Sequence, residues 1–409
     1  RTGLTGADLR AALNGFDGPI CRSGVKLTAD VLEGNRRLKA IVRAGVGTDN
    51  IDKQAATRSG IVVMNTPAGN TLSTAEHTIA LMLALSRNIA PAYQGLVEGR
   101  WDRKLYMGAQ VAGKTLGVVG LGRIGLAVAE RAKALEMKVV GYDPFMSAER
   151  AEELGIELID TVAEMLPQVD YLTVHTPLTD ETRGLISAAQ IEQLKPGARL
   201  INCARGGIYD EAALAEGLKA GKLAGVALDV YATEPCTDSP LFGLPGVVCT
   251  PHLGASTEEA QTQVATEAVE LLTTYLQSGV IRHAVNVAPI DPATLKSLRG
   301  FLDVAHRLGR LTAGIHSKGI QSCRLVYRGE IASRNTKVLT SVFAAGLLEG
   351  ALEEAVNLVN AEMMLHERGI ELIEECNTEM SAFRASMRME ATTGEGVHTA
   401  TATLFGQNM

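Results

Sequence analysis

The sequence has no long hydrophobic run, no excess of positive charge and no closely spaced pair of cysteines. Its longest apolar stretch, residues 79–85, is too short to span a bilayer, and the chain does not open on a charged segment followed by an apolar one. The net charge of −7 argues against nucleic acid or acidic membranes as partners, because neutralising phosphates requires clustered Lys and Arg. The six cysteines include no CxxC pair, which favours neither a metal site nor a disulfide framework. We therefore expect a cytoplasmic protein without a bound metal, whose cysteines stay reduced and pack mostly in cores.

Length and composition favour a multidomain α/β protein. At 409 residues the chain is long for one core and suits two or three domains. A content of 46% hydrophobic and 21% charged residues is ordinary for a globular enzyme. The first predicted element is a helix at residues 7–13, where a βαβ domain needs a strand, and residues 405–409 directly follow a predicted strand. We interpret the sequence as part of a longer protein whose first strand is missing.

Three glycines follow a short apolar strand predicted at residues 115–119. Gly120 permits a tight turn, Gly122 lets backbone N–H groups approach a phosphate, and Gly125 seats the next helix close to the sheet. A second strand ends in Asp143, where a carboxylate accepts both hydroxyls of a ribose and repels a 2′-phosphate. The alternative is an ordinary strand-to-helix corner, which the order of strand, glycine turn, amphipathic helix, strand and acid opposes. The pattern predicts a dinucleotide site that prefers NAD to NADP.

The order of the predicted elements indicates the architecture. Strands at residues 19–22, 40–43 and 61–65 predict a small parallel α/β unit. A six-stranded doubly wound sheet is predicted from strands near residues 115–119, 138–142, 170–174, 198–202, 225–229 and 247–250. We predict an α/β fold in which a Rossmann domain, residues 68–257, is inserted into a smaller flavodoxin-like substrate domain, residues 1–67 and 258–288. An α+β module follows at residues 289–409.

Local signals predict helix starts and a hairpin. Ser73 with Glu76 predicts the start of a long helix that runs through residue 86 toward residue 92, and Ser256 with Glu259 predicts a second long helix. A final hairpin is predicted where apolar residues alternate before the turn at residues 392–396; they are Phe383, Ala385, Met387 and Met389.

Three polar side chains follow late strands of the predicted sheet. Arg205 follows the strand at residues 198–202, Glu234 follows the next strand and His252 follows the last one. Ligands of an open parallel sheet bind beyond the carboxyl ends of its strands, so we expect these side chains to converge there.

The three residue types suit the interconversion of a 2-hydroxy acid and its keto acid. Arg205 can grip a carboxylate through two parallel hydrogen bonds and polarise the neighbouring carbonyl. His252 can move one proton per turnover, and Glu234 beside it would favour the imidazolium and orient the ring. Taken singly, each has a structural alternative as a surface ion pair, a loop charge or a core histidine. The rival acid–base residue is His175, which also follows a strand but has no acid near it in sequence; we interpret the other six histidines as incidental.

Five segments give the chain a resemblance to a known family. They are residues 43–50, 120–125 and 202–207, Asp229 with Glu234 and Pro235, and residues 251–257. In these segments the chain resembles the D-isomer-specific 2-hydroxyacid dehydrogenases, and it is most similar to the branch that acts on phosphoglycerate. The resemblance implies NAD-dependent oxidation of 3-phospho-D-glycerate to 3-phosphohydroxypyruvate. It also implies that Arg205 binds the substrate carboxylate and that His252, paired with Glu234, is the acid–base.

The resemblance implies further contacts to cofactor and substrate. The NAD contacts are Val46, Gly120, Gly122, Arg123, Ile124, Gly125, Asp143, Thr176, Pro177, Cys203, Ala204, Asp229, His252, Gly254 and Ala255. The substrate contacts are Arg22, Ser23, Arg43, Val46, Gly47, Asn70, Arg205 and His252. A phosphate pocket would draw on Arg22, Lys26, Arg43, Arg103 and Lys104. Which of these cations reach the phosphate stays open, because each is equally well interpreted as a solvated surface charge.

The last module resembles the intervening domain of the long-form members of the family, most clearly at residues 356–361. Long forms continue into a serine-binding ACT domain, and this sequence stops before one. The resemblance therefore implies that serine feedback through that domain is not carried by these residues. It also implies a homodimer or homotetramer.

Two alternatives stay open at this point. One is a dehydrogenase of another D-2-hydroxy acid, such as glycerate or lactate. The other is an NAD-sensing interaction protein similar to the transcriptional corepressors of the same family, against which the presence of Arg205, Glu234 and His252 argues.

Overall fold

The chain folds into two compact units, one formed by Arg1–Pro67 with Val264–Met409 and the other by Ala68–Gln263. The structure, a computed structural model, describes residues 3–315, 320–349, 356–380 and 382–404. The predicted chain end at residues 405–409 lies outside them. The second unit is inserted in sequence between the two parts of the first, as expected, and the α/β fold class is confirmed. The finer division into three domains stays a prediction.

The first part of the outer unit is a small parallel α/β fold. Its elements are α1 (Gly6–Leu13), β1 (Ile20–Cys21), α2 (Ala29–Leu32), β2 (Ala40–Arg43), α3 (Lys53–Arg58) and β3 (Val62–Asn65). The strands pair in the order β1, β2, β3, all parallel. Parallel strands end at one edge of a sheet, so Arg43, the last residue of β2, lies at the same edge as Arg22 and Thr66, which directly follow β1 and β3.

The inserted unit contains one large parallel sheet. Its elements are α4 (Thr71–Ser86), α5 (Ile89–Val97), β4 (Thr115–Val119), α6 (Arg123–Ala134), β5 (Lys138–Tyr142), α7 (Ala148–Glu153), β6 (Glu157–Leu158), α8 (Val162–Met165), β7 (Tyr171–Val174), α9 (Ala188–Gln193), β8 (Ala198–Asn202), α10 (Glu211–Lys219), β9 (Leu223–Leu228) and β10 (Val247–Cys249). The strand order is β10-β9-β8-β7-β4-β5-β6. From β4 the chain winds outward to one edge and then returns through β7 to build the other half. The pair β4 and β7 is therefore the switch point where ligands of such sheets bind.

Both faces of this sheet are covered, which explains the apolar strands. Neighbouring residues of one strand enter different clusters: Leu200 of β8 joins one buried cluster, and Ile201 joins the other. Each cluster thus occupies one face, because successive side chains of a strand point to opposite faces. The six predicted strands are present, and the two-residue β6 at the sheet edge was missed.

Both predicted capping boxes are wrong in detail. Helix α4 begins at Thr71 with Asn70 as its N-cap, and the hydroxyl of Ser73, inside the helix, donates to the carbonyl of Gly254. The helix also ends at Ser86, because Asn88 adopts a left-handed φ of 52° before α5. Helix α11 (Glu258–Ser278) is capped by Thr257, whose Oγ1 accepts the Ala260 N–H at 3.2 Å, and not by Ser256.

The remaining described part of the outer unit is an α+β module. Its elements are α12 (Pro292–Ile315), β11 (Ile320–Gly329), α13 (Thr336–Leu348), α14 (Ala361–Glu367), β12 (Glu371–Asn377), β13 (Ala385–Thr393) and β14 (Gly396–Ala402). The sheet order is β12-β11-β13-β14, with β11 and β12 parallel and the final pair antiparallel. The hairpin is confirmed, although Phe383 lies before β13, and the short helix α14 was not predicted.

Residues 356–361 connect this module to the small α/β part of the same unit. The side-chain amide of Asn357 donates to the Gly60 carbonyl at 2.9 Å, and that of Asn360 donates to the Arg58 carbonyl at 3.2 Å. Val359 enters the same buried cluster as Val62 of β3. Gly60 has a φ of +71°, and a Cβ there would lie 2.4 Å from Asn357 Nδ2, so the turn requires glycine.

The structure bears on two expectations: that no segment spans a membrane and that most cysteines pack in cores. Among the described residues, no helix is both long and apolar enough to cross a membrane. All six cysteines are free, but only Cys21, Cys203 and Cys323 are buried, while Cys236 and Cys249 are partly buried and Cys376 is exposed. Cys236 and Cys249 nevertheless pack against the core of the large sheet, so the expectation that most cysteines pack in cores is confirmed, with Cys376 as the exception.

Candidate active site

The glycine turn after β4 has the shape that a pyrophosphate requires. Gly120 has a φ of +92°, and a Cβ there would lie 2.8 Å from the His175 carbonyl oxygen; a Cβ on Gly125 would lie 1.9 Å from the Gly120 carbonyl oxygen. A Cβ on Gly122 would meet nothing within 4 Å. Gly122 is the N-cap of α6, and the first turn of that helix carries no acidic residue. Two glycines thus close the turn, and the third leaves open space at a positive helix end, which fits an anionic cofactor.

Asp143 follows β5 and is tied to the same turn. Its Oδ2 accepts the Leu121 N–H at 2.8 Å, and its Oδ1 accepts the Phe145 N–H at 2.8 Å. Each oxygen keeps lone-pair capacity for a ribose hydroxyl. The carboxylate is thus held rigidly beside the turn, at the place where the sequence predicted it.

Thr176 and His175 follow β7, on the other side of the switch point. The Thr176 methyl lies 2.8 Å from where a Gly120 Cβ would stand. The hydroxyl of Thr176 is buried and has no hydrogen-bond partner among the described residues. A buried polar atom beside the glycine turn fits a site that a ligand completes.

His252 and Glu234 form the closest pair of titratable groups in the site. His252 Nδ1 lies 2.7 Å from Glu234 Oε2, and Glu234 Oε1 accepts the Tyr231 N–H at 3.1 Å. The hydrogen bond to Glu234 raises the pKa of His252. Burial alone would raise the pKa of Glu234, but the bonds from His252 and Tyr231 outweigh it and the pKa is lowered. The pair therefore favours a protonated imidazole beside a carboxylate.

Asp229 holds the loop that carries His252. Its carboxylate is fully buried; Oδ1 accepts the Leu253 N–H at 2.7 Å, and Oδ2 accepts the Gly254 N–H at 2.8 Å. His252 itself has a φ of +56°, a left-handed conformation that is uncommon for residues other than glycine. The two hydrogen bonds directly after His252 stabilise that conformation. The side chain predicted to contact NAD thus has a structural role that the sequence did not indicate.

Arg205 lies close enough to act on His252. Its positive charge lowers the pKa of His252, against the larger effect of Glu234. Asn202 fixes the Arg205 loop by donating to the Arg205 carbonyl at 2.8 Å and accepting the Ala204 N–H at 2.9 Å. A Cβ on Gly206 would lie 1.8 Å from the Tyr231 carbonyl oxygen, so glycine lets this loop pack against the loop that carries Glu234. His252 and Glu234 are thus in direct contact, and the loop of Arg205 packs against the loop that carries Glu234.

His175 has a different environment from His252. Burial lowers its pKa to about 4. Its Nε2 lies 3.1 Å from Thr173 Oγ1, and its Nδ1 is buried without a partner among the described residues. A histidine that stays neutral and has no carboxylate beside it is poorly suited to exchange a proton near neutral pH. The geometry therefore favours His252 over its rival.

The other predicted NAD contacts of the inserted unit lie at strand ends of its sheet or on the loops that follow. They are Arg123 and Ile124 after β4, Pro177 after β7, Cys203 and Ala204 after β8, and Gly254 and Ala255 after β10. Cys203 is buried, which raises the pKa of its thiol to about 12 and excludes a reactive thiolate. Asn70, a predicted substrate contact, stands at the N-cap position of α4 without a side-chain capping bond, and its Oδ1 is buried without a partner among the described residues.

The predicted substrate contacts of the outer unit gather at the carboxyl edge of its small sheet. Arg22 and Ser23 follow β1 and are exposed, whereas Arg43 at the end of β2 is partly buried. The loop with Val46 and Gly47 is fixed from β3, since the Asn65 side chain donates to the Val46 carbonyl at 2.6 Å. The remaining candidates for a phosphate pocket are exposed: Lys26 of this unit, and Arg103 and Lys104 of the inserted unit.

His77, interpreted from the sequence as incidental, has a buried polar environment that the sequence analysis did not predict. His77 lies on α4 with its Nε2 3.2 Å from Asp229 Oδ1 and 3.0 Å from Thr250 Oγ1. A signal was present in the sequence: Thr74, His77 and Thr78 put polar groups at helical spacing on a face that is otherwise apolar.

Comparison with known proteins agrees with this geometry. Residues 79–254 match the family described as "D-isomer specific 2-hydroxyacid dehydrogenase, NAD binding domain", and residues 297–409 match the "D-3-phosphoglycerate dehydrogenase intervening domain". The chain is 46% identical to a D-3-phosphoglycerate dehydrogenase of Archaeoglobus fulgidus, over 93% of this chain and 72% of that protein. It is 43% identical to one of Synechocystis sp., over 99% of this chain and 73% of that protein.

A solved structure shares the fold. The D-lactate dehydrogenase of Aquifex aeolicus, crystallised with NAD and lactic acid, superposes with a TM-score of 0.60 at 29% identity, over 66% of this chain and 85% of that one. Glycine turn, acid, Arg, Glu and His therefore stand within an NAD-binding dehydrogenase domain, and the module that follows matches one specific branch. The chain belongs to the D-3-phosphoglycerate dehydrogenases, within the D-isomer-specific 2-hydroxyacid dehydrogenase family.

Proposed function

We propose that the protein oxidises 3-phospho-D-glycerate to 3-phosphohydroxypyruvate with NAD, the first step of L-serine biosynthesis. The observation that carries the proposal is the 2.7 Å contact between His252 Nδ1 and Glu234 Oε2, beside Arg205 and at the carboxyl edge of the NAD-binding sheet. The names of relatives such as those of Archaeoglobus fulgidus and Synechocystis sp. support the choice of substrate.

Arg205 binds the substrate carboxylate in this proposal. A guanidinium offers two parallel N–H donors to a carboxylate, and its charge stabilises negative charge that develops on the adjacent oxygen. The hydrogen bonds of Asn202 and the close packing of Gly206 fix the Arg205 backbone, which limits the positions that the guanidinium can take. The residue thus orients the carbon that reacts.

His252 takes the hydroxyl proton as the 2-hydroxy acid is oxidised. Because Nδ1 is engaged by Glu234, Nε2 is the ring nitrogen that exchanges the proton with substrate. Glu234 orients the ring and stabilises the imidazolium that forms. In the reverse direction the same imidazolium returns the proton to the keto acid. Neutral His252 is needed for oxidation and protonated His252 for reduction.

NAD supplies the hydride acceptor when it is bound. The residues that would hold it are the glycines of the turn for the pyrophosphate, Asp143 for the ribose hydroxyls and Thr176 beside the turn. Asp143 also disfavours a 2′-phosphate, which supports NAD over NADP. Substrate contacts from Arg22, Ser23, Arg43, Val46, Gly47 and Asn70 belong to the same proposal.

Assembly and location are further parts of the proposal. Large apolar side chains are exposed over a short stretch of the inserted unit; they are Ile89, Tyr93, Leu96, Val97, Trp101, Leu105 and Met107. Such a concentration is typical of a surface that is covered in the assembled protein. It supports a homodimer or homotetramer. We place the enzyme in the cytoplasm, and we retain the three domains at residues 1–67 with 258–288, 68–257 and 289–409.

A substrate panel tests the proposal. Purified protein is incubated with NAD and, in separate reactions, 3-phospho-D-glycerate, D-glycerate and D-lactate, and the formation of NADH is followed. We expect the highest kcat/KM with 3-phospho-D-glycerate. A higher value with either of the other acids would assign another substrate to the same chemistry, and no NADH with any of them would favour the interaction-protein alternative.

A further inference from the structure

His77 makes a contact that the proposed mechanism does not use. Its ring lies on α4 and is largely buried, with 20% of the side chain exposed. Nε2 lies within hydrogen-bond distance of two oxygens, Asp229 Oδ1 at 3.2 Å and Thr250 Oγ1 at 3.0 Å. Neither residue touches the reacting atoms in the proposed mechanism, so the cluster stands behind the site.

The hydrogen-bond pattern fixes which atom of His77 carries a proton. The Thr250 hydroxyl donates to Asp229 Oδ1 at 2.6 Å, so it has only lone pairs left to offer His77. An ionised carboxylate also only accepts. His77 Nε2 must therefore be the N–H that donates to both oxygens, whether the ring is neutral or charged.

Asp229 also accepts hydrogen bonds from the loop that carries His252. The oxygen that receives the His77 and Thr250 hydrogen bonds also accepts the Leu253 N–H at 2.7 Å, and the other oxygen accepts the Gly254 N–H at 2.8 Å. A buried carboxylate is stable only when its oxygens are satisfied by donors. The donors that hold Asp229 in place thereby also hold the left-handed backbone of His252.

Helix α4 also forms hydrogen bonds to a carbonyl of the same loop. The hydroxyls of Ser73 and Thr74 donate to the Gly254 carbonyl at 2.7 Å and 3.2 Å. Ser73, Thr74 and His77 lie within five successive residues of the same helix, so one rigid element positions all three. The loop is thus held by its N–H groups through Asp229 and by a carbonyl directly.

We propose that His77 is a positioning residue for the acid–base: by donating Nε2–H to Asp229 and Thr250, it keeps the loop in the conformation that presents His252 to Glu234. The expected effect on kcat rests on the proposed function, whereas the hydrogen bonds of His77 do not depend on which substrate is used. The charged groups that face His252 are Glu234, Asp229 and Arg205, and the group that faces His77 is Asp229.

The kinetic test compares three variants on α4. His77→Leu removes the donor, and His77→Gln keeps an amide N–H at about the position of Nε2. Glu76→Gln is the matched control: its carboxylate is exposed on the same helix and pairs with Arg131 at 3.3 Å. We expect His77→Leu to lower kcat for oxidation about tenfold, as loss of a hydrogen bond to a charged group implies. We expect His77→Gln to recover most of it, and Glu76→Gln to match the wild type in kcat and in its affinity for NADH.

The pH profile and NMR separate positioning from general stability. If His252 loses its alignment with Glu234, its pKa falls toward the ordinary value, and the acidic limb of kcat/KM for oxidation moves to lower pH in His77→Leu. In labelled wild-type protein, we expect a slowly exchanging His77 Nε2–H signal and a His252 pKa above the ordinary value, both of which can be read even if no 2-hydroxy acid is oxidised.

Several results would overturn the inference while leaving the proposed function intact. The first is a His77 ring protonated only at Nδ1. The second is a His77→Leu variant whose kcat and pH profile equal those of the wild type. The third is an equal loss of kcat in His77→Gln and His77→Leu, with a lowered melting temperature and no shift of the pH profile. If His77→Leu does not fold, the wild-type NMR signal and the His77→Gln profile decide the matter alone.

Discussion

His252 Nδ1 lies 2.7 Å from Glu234 Oε2, and the carboxylate raises the pKa of the imidazole while Arg205 opposes it. The pair joins two loops that follow different strands, β9 and β10. Its geometry sets both which ring nitrogen faces the substrate and the pH at which the ring loses its proton.

Replacing Glu234 with Gln should move the acidic limb of the pH profile. Oxidation needs neutral His252, so kcat/KM falls as pH drops through the pKa of the ring. Without the carboxylate that pKa falls, and the limb shifts to lower pH; because ring orientation and charge stabilisation also weaken, kcat should drop about 10²-fold. The measurement is kcat/KM for 3-phospho-D-glycerate between mildly acidic and alkaline pH. A limb that stays in place or moves upward would contradict the assigned pairing.

Replacing Arg205 should impair substrate binding and turnover together. Arg205→Lys keeps the charge but loses the two parallel donors, so we expect a higher KM for 3-phosphohydroxypyruvate and at least about tenfold lower kcat/KM. Arg205→Ala should cost more than Arg205→Lys. Binding of NADH, measured by fluorescence, should be retained in both. An unchanged kcat/KM in Arg205→Ala would remove the residue from its proposed role.

Two glycines of the turn should respond to alanine in different ways. At Gly122 a methyl enters open space where the pyrophosphate is proposed, so the fold should be unaffected and the KM for NAD should rise about tenfold. At Gly125 the methyl would lie 1.9 Å from the Gly120 carbonyl oxygen, so the melting temperature itself should fall. Thermal unfolding and NAD titration separate the two. Equal thermal shifts in both variants, with unchanged NAD binding at Gly122→Ala, would argue against the cradle.

Asn357 should stabilise the outer unit measurably. Asn357→Ala removes the donor to the Gly60 carbonyl, and we expect the free energy of unfolding to fall by about 1 kcal/mol. Glu367→Gln breaks the exposed pair with Arg58, whose charged groups lie 3.3 Å apart, and should change stability much less. Urea titration of the two variants checks this. A larger effect of Glu367→Gln than of Asn357→Ala would show that the surface pair, not the amide, holds the module to β3.

The sequence predicted what depends on local pattern. Strands buried on both faces are continuous apolar runs, so their places in the large sheet could be predicted, as could the turn at Gly120 and the acid at Asp143. Because parallel strands end at one edge, the convergence of Arg205, Glu234 and His252 also followed from their positions after strands. The two-residue β6 has too few residues to show a period.

What could not be predicted depends on partners that are distant in sequence. Ser73 fits the pattern of a helix cap, but its hydroxyl serves a carbonyl 181 residues away, and the helix begins at Thr71 instead. The role of His77 likewise requires the buried oxygen of Asp229, 152 residues later in the chain. No spacing rule connects such residues, because the sheet that brings them together is itself the product of the fold.

The most direct test of the central claim is the turnover of a His252→Ala variant with 3-phospho-D-glycerate and NAD, measured beside its affinity for NADH. The account predicts that the wild type forms NADH with this substrate. In the variant, kcat should fall by about 10²–10⁴-fold, as loss of a general acid–base implies, while NADH still binds. Turnover close to that of the wild type would contradict the assignment and transfer the acid–base role to another residue, His175 being the first to examine.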